Sequence, residues 1–140
     1  MIVYFDTSAF IPLLVAEPGS ARAHTFWDDA DRMVSTPVVY PESRAALARA
    51  HRLGRLSARQ LRTAVDDLDS KYEDLDVVEI DGELARRAGD LAETHGLRGY
   101  DAVHLASADR VRDPDLVMVA GDGALLSAAT AEGMAVAVLG

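Results

Sequence analysis

Short apolar runs alternate along this chain with longer segments in which apolar residues recur every three or four positions. The runs have the length of buried strands, and the longer segments have the period of amphipathic helices. Strands are predicted at residues 2–5, 33–35, 76–80, 116–120 and 135–139. Helices are predicted from residue 7 or 8 to 14, at 20–30, at 36–53, at 81–96, at 100–112 and at 124–131, with a further helix that starts after residue 57.

This alternation favours an α/β fold, because strands separated by helices pair in parallel through right-handed crossovers. We expect a three-layer α/β/α sandwich with a central parallel sheet of four to five strands. Thr7 or Ser8 is predicted to cap the first helix, so that Asp6 is not needed there. The step Thr36-Pro37 is predicted to start a helix that Pro41 kinks.

The length and composition are those of one globular domain. The chain has 140 residues, of which 49% are hydrophobic, and we expect a single domain over 1–140. No apolar run has the length of a membrane span and no secretory signal is visible, so a cytoplasmic protein without a membrane partner is expected. With no cysteine, disulfides and thiolate metal sites are excluded.

Four acidic residues are the candidate chemistry: Asp6, Glu42, Asp101 and Asp122. Asp6 directly follows the first strand, and the predicted fold sends all four toward the edge of the sheet where α/β proteins place ligands. Carboxylates collected there repel one another unless they are protonated or neutralised by a cation. Mg²⁺ or Mn²⁺ with oxygen ligands is the expected partner, which makes metal-assisted phosphodiester chemistry the leading hypothesis.

Each acid also has an ordinary structural explanation. Asp6 and Asp101 are at predicted helix starts, Glu42 is about two turns into a helix where solvent exposure is common, and Asp122 is in a Gly-Asp-Gly turn. His104 could bond Asp101, but a packed histidine with satisfied nitrogens is the more common case. No phosphate-binding P-loop, paired zinc spacing or Gly-x-Ser-x-Gly motif is present, so carboxylate-bound metal acting on phosphate is the chemistry that remains.

The net charge of −9 does not exclude a nucleic-acid substrate, because the basic residues are clustered. The segment from Ser43 to Arg62 contains no acid. Its arginines are Arg44, Arg49, Arg52, Arg55, Arg59 and Arg62. Arginine suits bidentate phosphate contacts, yet a solvated helix face is an equal explanation.

Four motifs together resemble PIN-domain proteins, most of all the small VapC toxins of prokaryotic toxin–antitoxin pairs. They are Asp6-Thr7-Ser8-Ala9, Pro41-Glu42-Ser43-Arg44-Ala45-Ala46-Leu47, Tyr100-Asp101-Ala102-Val103-His104-Leu105-Ala106-Ser107-Ala108 and Gly121-Asp122-Gly123-Ala124-Leu125-Leu126. The resemblance implies a PIN-like domain over nearly the whole chain. It also implies that Asp6, Glu42, Asp101 and Asp122 form the catalytic metal site, with Thr7 and Ser8 supporting it.

What the resemblance implies for function is an Mg²⁺- or Mn²⁺-dependent endoribonuclease that cleaves structured cellular RNA, tRNA or rRNA. The protein would be a homodimer inhibited by a cognate VapB-like antitoxin. Arg44, Arg49, Arg52 and Arg55 are candidate contacts to RNA or antitoxin. Two alternatives stay open: a metal-dependent DNA nuclease of the flap type, and a non-catalytic PIN-like binding module.

Overall fold

The computed structural model describes residues 1–121 and 123–140, and it confirms the predicted α/β class. The strands are β1 Ile2–Phe5, β2 Arg32–Ser35, β3 Asp76–Val77, β4 Leu116–Ala120 and β5 Ala135–Val138. The helices are α1 Thr7–Leu14, α2 Ser20–Asp29, α3 Val39–Arg52, α4 Ala58–Asp74, α5 Gly82–His95, α6 Gly99–Arg110 and α7 Gly123–Ala131. Asp122 lies outside the described residues.

The five strands form one parallel sheet in the order β3-β2-β1-β4-β5. β1 is central, between β2 and β4, so the end of β1 lies at the middle of the sheet's carboxyl edge. This position is where side chains from several elements can meet.

Successive β1 residues belong to the two different cores, as the alternation of side chains along a strand requires. Val3 and Phe5 are buried with residues of α1, α3 and α4. Tyr4 is buried on the other side with residues of α5, α6 and α7. Two cores on opposite faces of one sheet confirm the predicted sandwich.

Local capping signals explain where several helices begin and end. Ser57 and Gln60 form a reciprocal capping box at the start of α4. Asp81 caps α5 by accepting a hydrogen bond from the Leu84 N–H at 2.8 Å. Gly96 ends α5 with φ of 66°, a left-handed conformation that glycine adopts without steric cost.

Two predicted boundaries around β2 were wrong. α3 begins at Val39 and not at the Thr36-Pro37 step, because residues 36–38 form a turn in which the Thr36 hydroxyl donates to the Val78 carbonyl at 3.1 Å. β3 ends at Val77 and not at residue 80, since its partner strand β2 stops at Ser35. Pro41 therefore falls in the first turn of α3, where a missing N–H removes no helical hydrogen bond.

None of the helices in the described parts of the chain is long and apolar enough to cross a membrane.

Candidate active site

Asp6 is held at the junction of β1 and α1. Its side chain is buried, and Oδ1 accepts a hydrogen bond from the Ala9 N–H at 2.9 Å. Asp6 is thus the N-cap of α1, and the prediction that Thr7 or Ser8 takes that role was wrong. The cap position fixes the carboxylate at the carboxyl end of the central strand.

Ser8 connects Asp6 to the end of β4. Its hydroxyl lies 2.7 Å from Oδ1 and 2.9 Å from Oδ2 of Asp6, and it accepts a hydrogen bond from the Gly121 N–H at 2.8 Å. Ser8 thereby orients the Asp6 carboxylate and ties the start of α1 to the segment that follows β4.

Glu42 is held in one orientation through a single oxygen. Its Oε1 accepts hydrogen bonds from the Thr7 hydroxyl at 2.6 Å and from Nε2 of His104 at 2.9 Å. Partial burial acts to raise the pKa of Glu42, but the hydrogen bonds from His104 and Thr7 outweigh it, and the pKa is lowered. Glu42 is therefore an anion at neutral pH. Because α3 begins at Val39, Glu42 lies in the first turn of α3 and not two turns into the helix.

His104 is the packed histidine with partnered nitrogens that the sequence favoured, but its contact with Glu42 was not predicted. The ring is 1% exposed, and its nitrogens contact Tyr4 and Glu42 rather than Asp101. A carboxylate near Nε2 requires a proton on that nitrogen, and Nδ1 lies 2.9 Å from the Tyr4 hydroxyl. Tyr4 and Glu42 thus hold the ring from its two nitrogens.

Asp101 lies in the first turn of α6, where a carboxylate is stabilised by the helix dipole. Its side chain is 19% exposed and is 3.5 Å from the guanidinium of Arg98, which is itself 82% exposed. Arg98 also helps to lower the pKa of Glu42. Arg98 was not singled out from the sequence, although its place three residues before Asp101 at a helix start is a usable signal.

These side chains line one cavity of about 270 Å³ at the carboxyl edge of the sheet. Its wall contains Asp6, Thr7, Ser8, Ile11, Glu42, Ala46, Arg98, Asp101 and His104. Three of the four predicted acids are therefore brought together, and Asp122 lies outside the described residues. We call this the acidic cavity.

The electrostatics of the acidic cavity favour a cation. Burial raises the pKa of Asp6 to about 6, and the charge of Asp101 adds to the rise. His104, the Ser8 hydroxyl and the Ala9 N–H act in the opposite direction without cancelling it. Ionised Asp6 is consequently costly in this position unless positive charge is supplied.

The carboxylate oxygens of the acidic cavity are suitable ligands for a divalent metal ion, but their side chains do not surround a common position. Carboxylate oxygens are the ligands that Mg²⁺ and Mn²⁺ prefer. Among residues 1–121 and 123–140, no group of three or more His, Asp or Glu side chains is arranged to hold an ion as it stands. Asp101 contacts Arg98 through Oδ2 alone, and Arg98 is 82% exposed, so this ion pair does not prevent Asp101 from binding an ion.

The four predicted arginine contacts lie apart from the acidic cavity. Arg44, Arg49, Arg52 and Arg55 are all exposed, and Arg44 lies over the Tyr40 ring. Arg55 instead lines a cavity of about 580 Å³ between the end of α1 and the α3–α4 pair. Arg98 is the cation that the described wall of the acidic cavity contains.

A parallel α/β fold with carboxylates at the carboxyl edge of its sheet defines this class of protein, and comparison with known sequences identifies the family. The family model for the PIN domain matches residues 3–131, and the chain belongs to the PIN-domain family.

A sequence relative is ribonuclease VapC45 of Mycobacterium tuberculosis, 45% identical over 97% of this chain and 94% of that protein. Among solved structures, FitAcB from Neisseria gonorrhoeae is 19% identical with a TM-score of 0.72, covering 99% of this chain and 98% of that one. VapBC-5 from Mycobacterium tuberculosis, a member of the VapBC family of toxin–antitoxin systems, is 19% identical with a TM-score of 0.59, covering 98% and 96%. At these identities the two structures show the fold alone.

Proposed function

We propose that this chain is an Mg²⁺- or Mn²⁺-dependent endoribonuclease that cleaves structured cellular RNA, tRNA or rRNA, as the toxin of a type II toxin–antitoxin system. The observation that carries the proposal is the meeting of Asp6, Glu42 and Asp101, distant in sequence, in one cavity at the sheet's carboxyl edge. The 45% identity to a protein named ribonuclease VapC45, over nearly the whole of both chains, supports the same activity.

In this proposal Asp6, Glu42 and Asp101 hold the ion, and Asp122 helps to place the attacking water or a second ion. A bound divalent ion lowers the pKa of a coordinated water and polarises the scissile phosphate. The described contacts support distinct parts for the protein groups. Ser8 and the Ala9 N–H orient Asp6, and the raised pKa of Asp6 makes cation binding favourable.

His104 and Thr7 act as positioning residues for Glu42. Both hydrogen bonds go to Oε1, and Oε2 has no hydrogen-bond partner among the described residues. Oε2 is thus the oxygen that is left for the ion. The arrangement matches the general rule that partners behind a ligand fix its orientation and its charge.

Arg98 is proposed to contact the RNA phosphate. It is exposed at the rim of the acidic cavity, and a guanidinium suits phosphate in geometry and charge. The guanidinium of Arg98 would then pair with the phosphate, and the carboxylate of Asp101 would pair with the ion.

The proposed partners are a VapB-like antitoxin and a second copy of this chain. An antitoxin is supported by the structural likeness to VapBC-5, a toxin–antitoxin family member. The cavity between α1 and the α3–α4 pair has an apolar wall of Leu14, Val15 and Leu56 beside exposed Arg55 and Arg59. Such a surface suits a segment that is both apolar and acidic. Sedimentation of the chain alone and with the antitoxin tests both proposals.

The deciding experiment is RNA cleavage by the purified protein, with and without a chelator. Wild type should cut RNA in Mg²⁺ or Mn²⁺ and stop cutting when the chelator is added. Asp6→Asn and Asp101→Asn should reduce cleavage to the chelator background while remaining folded. Asp90→Asn is the matched control, because Asp90 is an exposed acid on α5 that does not line the acidic cavity.

Retained cleavage in either site variant would refute the site assignment. Cleavage of flap-shaped DNA in preference to RNA would favour the DNA nuclease instead. Absence of metal binding by calorimetry, together with absence of cleavage, would leave the non-catalytic binding module.

A further inference from the structure

Tyr100 is an exposed aromatic side chain placed directly beside the acidic cavity. The ring is 63% exposed, whereas Tyr4, Phe5 and Phe10 are buried. It occupies the first turn of α6, one residue before Asp101. Within the described structure it has no hydrogen bond and no ring contact, so packing of this domain does not account for an aromatic residue at this position.

Tyr100 lines a cavity of about 460 Å³ that adjoins the acidic cavity, and we call it the second cavity. Its lining residues are Thr7, Val38, Pro41, Glu42, Ala45 and Tyr100. The lining also includes the apolar groups of Val38, Pro41 and Ala45, at and near the start of α3. Thr7 and Glu42 also line the acidic cavity, so the two cavities share a wall. An apolar, partly aromatic space thus adjoins a carboxylate-lined one.

We propose that this second cavity is a subsite for one unstacked nucleobase of the RNA, with the base lying on the Tyr100 ring. The inference rests on the proposed ribonuclease activity and adds how the strand is held. A nucleotide has an anionic phosphate joined to a flat base whose faces are apolar. The second cavity suits the base, and the acidic cavity suits the phosphate once it holds the proposed divalent ion beside Arg98. Bases of single-stranded or loop RNA stack readily on aromatic side chains, and every base has a face that can do so.

The charges around the second cavity favour a base over other occupants. Glu42 in its wall and the neighbouring Asp101 repel an acidic peptide and the sugar-phosphate backbone itself. A neutral base escapes this repulsion, while its own phosphate would lie beside Arg98 and the divalent ion that the acidic cavity is proposed to hold. The subsite would therefore admit a base that has left its helix, which restricts cleavage to loops, bulges or ends.

The test measures RNA binding in an Asp6→Asn background, where cleavage does not interfere. Fluorescence anisotropy with a labelled single-stranded RNA of mixed sequence, in Mg²⁺, gives the affinity. Tyr100→Ala should weaken binding by roughly 10- to 100-fold, the range of a lost base–aromatic stack, and Tyr100→Phe should bind nearly as well as tyrosine. Circular dichroism checks that both variants fold, which exposure of the ring predicts.

A set of RNAs with a single abasic position makes the assignment specific. Removing one particular base should weaken binding to the Tyr100 protein by about the same factor as Tyr100→Ala, and the two changes together should cost no more than either one. Arg98→Gln is the contrasting variant. It should weaken binding to all of these RNAs equally and reduce the salt dependence, as loss of a phosphate contact does.

Leu53→Ala is the control for an exposed apolar residue, since Leu53 is 56% exposed at the end of α3 and lines neither cavity. Unchanged RNA affinity in Tyr100→Ala would overturn the subsite. If the affinity is unchanged and the oligomeric state differs, Tyr100 belongs to a protein interface instead. If wild type cleaves RNA and Tyr100→Ala cleaves equally well, the subsite fails and the ribonuclease proposal stands. If wild type cleaves no RNA, the ribonuclease proposal itself fails.

Discussion

At the scale of single residues, Asp6 joins two requirements that oppose each other. It caps α1 through the Ala9 N–H, and it places a carboxylate in a buried site beside Asp101. The capping hydrogen bond stabilises the fold, whereas burial beside Asp101 destabilises the ionised form of the Asp6 carboxyl. Functional sites commonly contain this kind of local cost, which ligand binding then relieves.

Asp6→Asn should make the metal-free protein more stable at neutral pH. A carboxyl whose pKa rises from 3.8 in the unfolded chain to about 6 in the folded protein costs almost nothing below pH 4, and its cost grows between about pH 4 and 6 and then levels off. Above pH 7 the cost is about 3 kcal/mol, and asparagine removes it while it can still cap the helix. Urea unfolding in chelator should therefore show a gain of up to about 3 kcal/mol at pH 7.5 that disappears near pH 4.

Asp90→Asn is the matched comparison and should show no such pH-dependent gain, because Asp90 is exposed. A constant gain of Asp6→Asn across the pH range would contradict the link to ionisation.

His104 offers a second prediction at this scale, through the atoms that contact Glu42. His104→Leu removes the donor to Oε1 and leaves the buried Tyr4 hydroxyl without its histidine partner. Loss of a partner behind a metal ligand typically lowers metal affinity or activity about 10- to 100-fold. His104→Gln keeps an N–H of similar reach and should recover much of that loss. Calorimetric titration with Mn²⁺ is the measurement.

A purely structural role for His104 predicts a different pattern. Thermal stability would then fall in both variants, and their Mn²⁺ affinities would match that of wild type.

At the scale of elements, the helix and strand types follow from local signals, whereas two boundaries depend on contacts between elements. The capping box at Ser57 and the glycine that ends α5 are readable from a few neighbouring residues. The end of β3 and the start of α3 are not, because both depend on where β2 stops and on the Thr36 hydroxyl reaching Val78 across the chain.

Thr36→Val should destabilise this junction. Thr36 is fully buried, and its hydroxyl is the described donor to the Val78 carbonyl. Valine fills nearly the same volume but leaves that carbonyl without a partner, at a cost of about 1–3 kcal/mol in urea unfolding. Thr36→Ser keeps the donor and should cost less than Thr36→Val. The reverse order would show that the lost methyl contact matters more than the hydrogen bond.

At the scale of the whole molecule, stability and ion binding are coupled through the acidic cavity. The chain has a net charge of −9, and three of its carboxylates line one small cavity. An ion that binds the folded protein there stabilises it by mass action, about 2.7 kcal/mol when its concentration is 100 times the dissociation constant.

Mn²⁺ should therefore raise the thermal midpoint of wild type and leave that of Asp101→Asn nearly unchanged. A sodium salt at equal ionic strength controls for general screening of the negative charge. Equal stabilisation of wild type and Asp101→Asn by Mn²⁺ would locate the ion elsewhere on the protein. Differential scanning fluorimetry is sufficient to separate these outcomes.

By itself the sequence determined the order and type of the elements, the parallel sheet and the acids worth testing, because periodicity, caps and turns act between near neighbours. Tertiary structure decided how those acids are held. Thr7 and His104 are 35 and 62 residues from Glu42, and they meet it because β1, α3 and α6 converge at one edge of the sheet. Which carboxylate oxygen stays free, which groups the nitrogens of His104 contact and which residues line a cavity with Tyr100 are properties of packing between distant segments, and no local pattern encodes them.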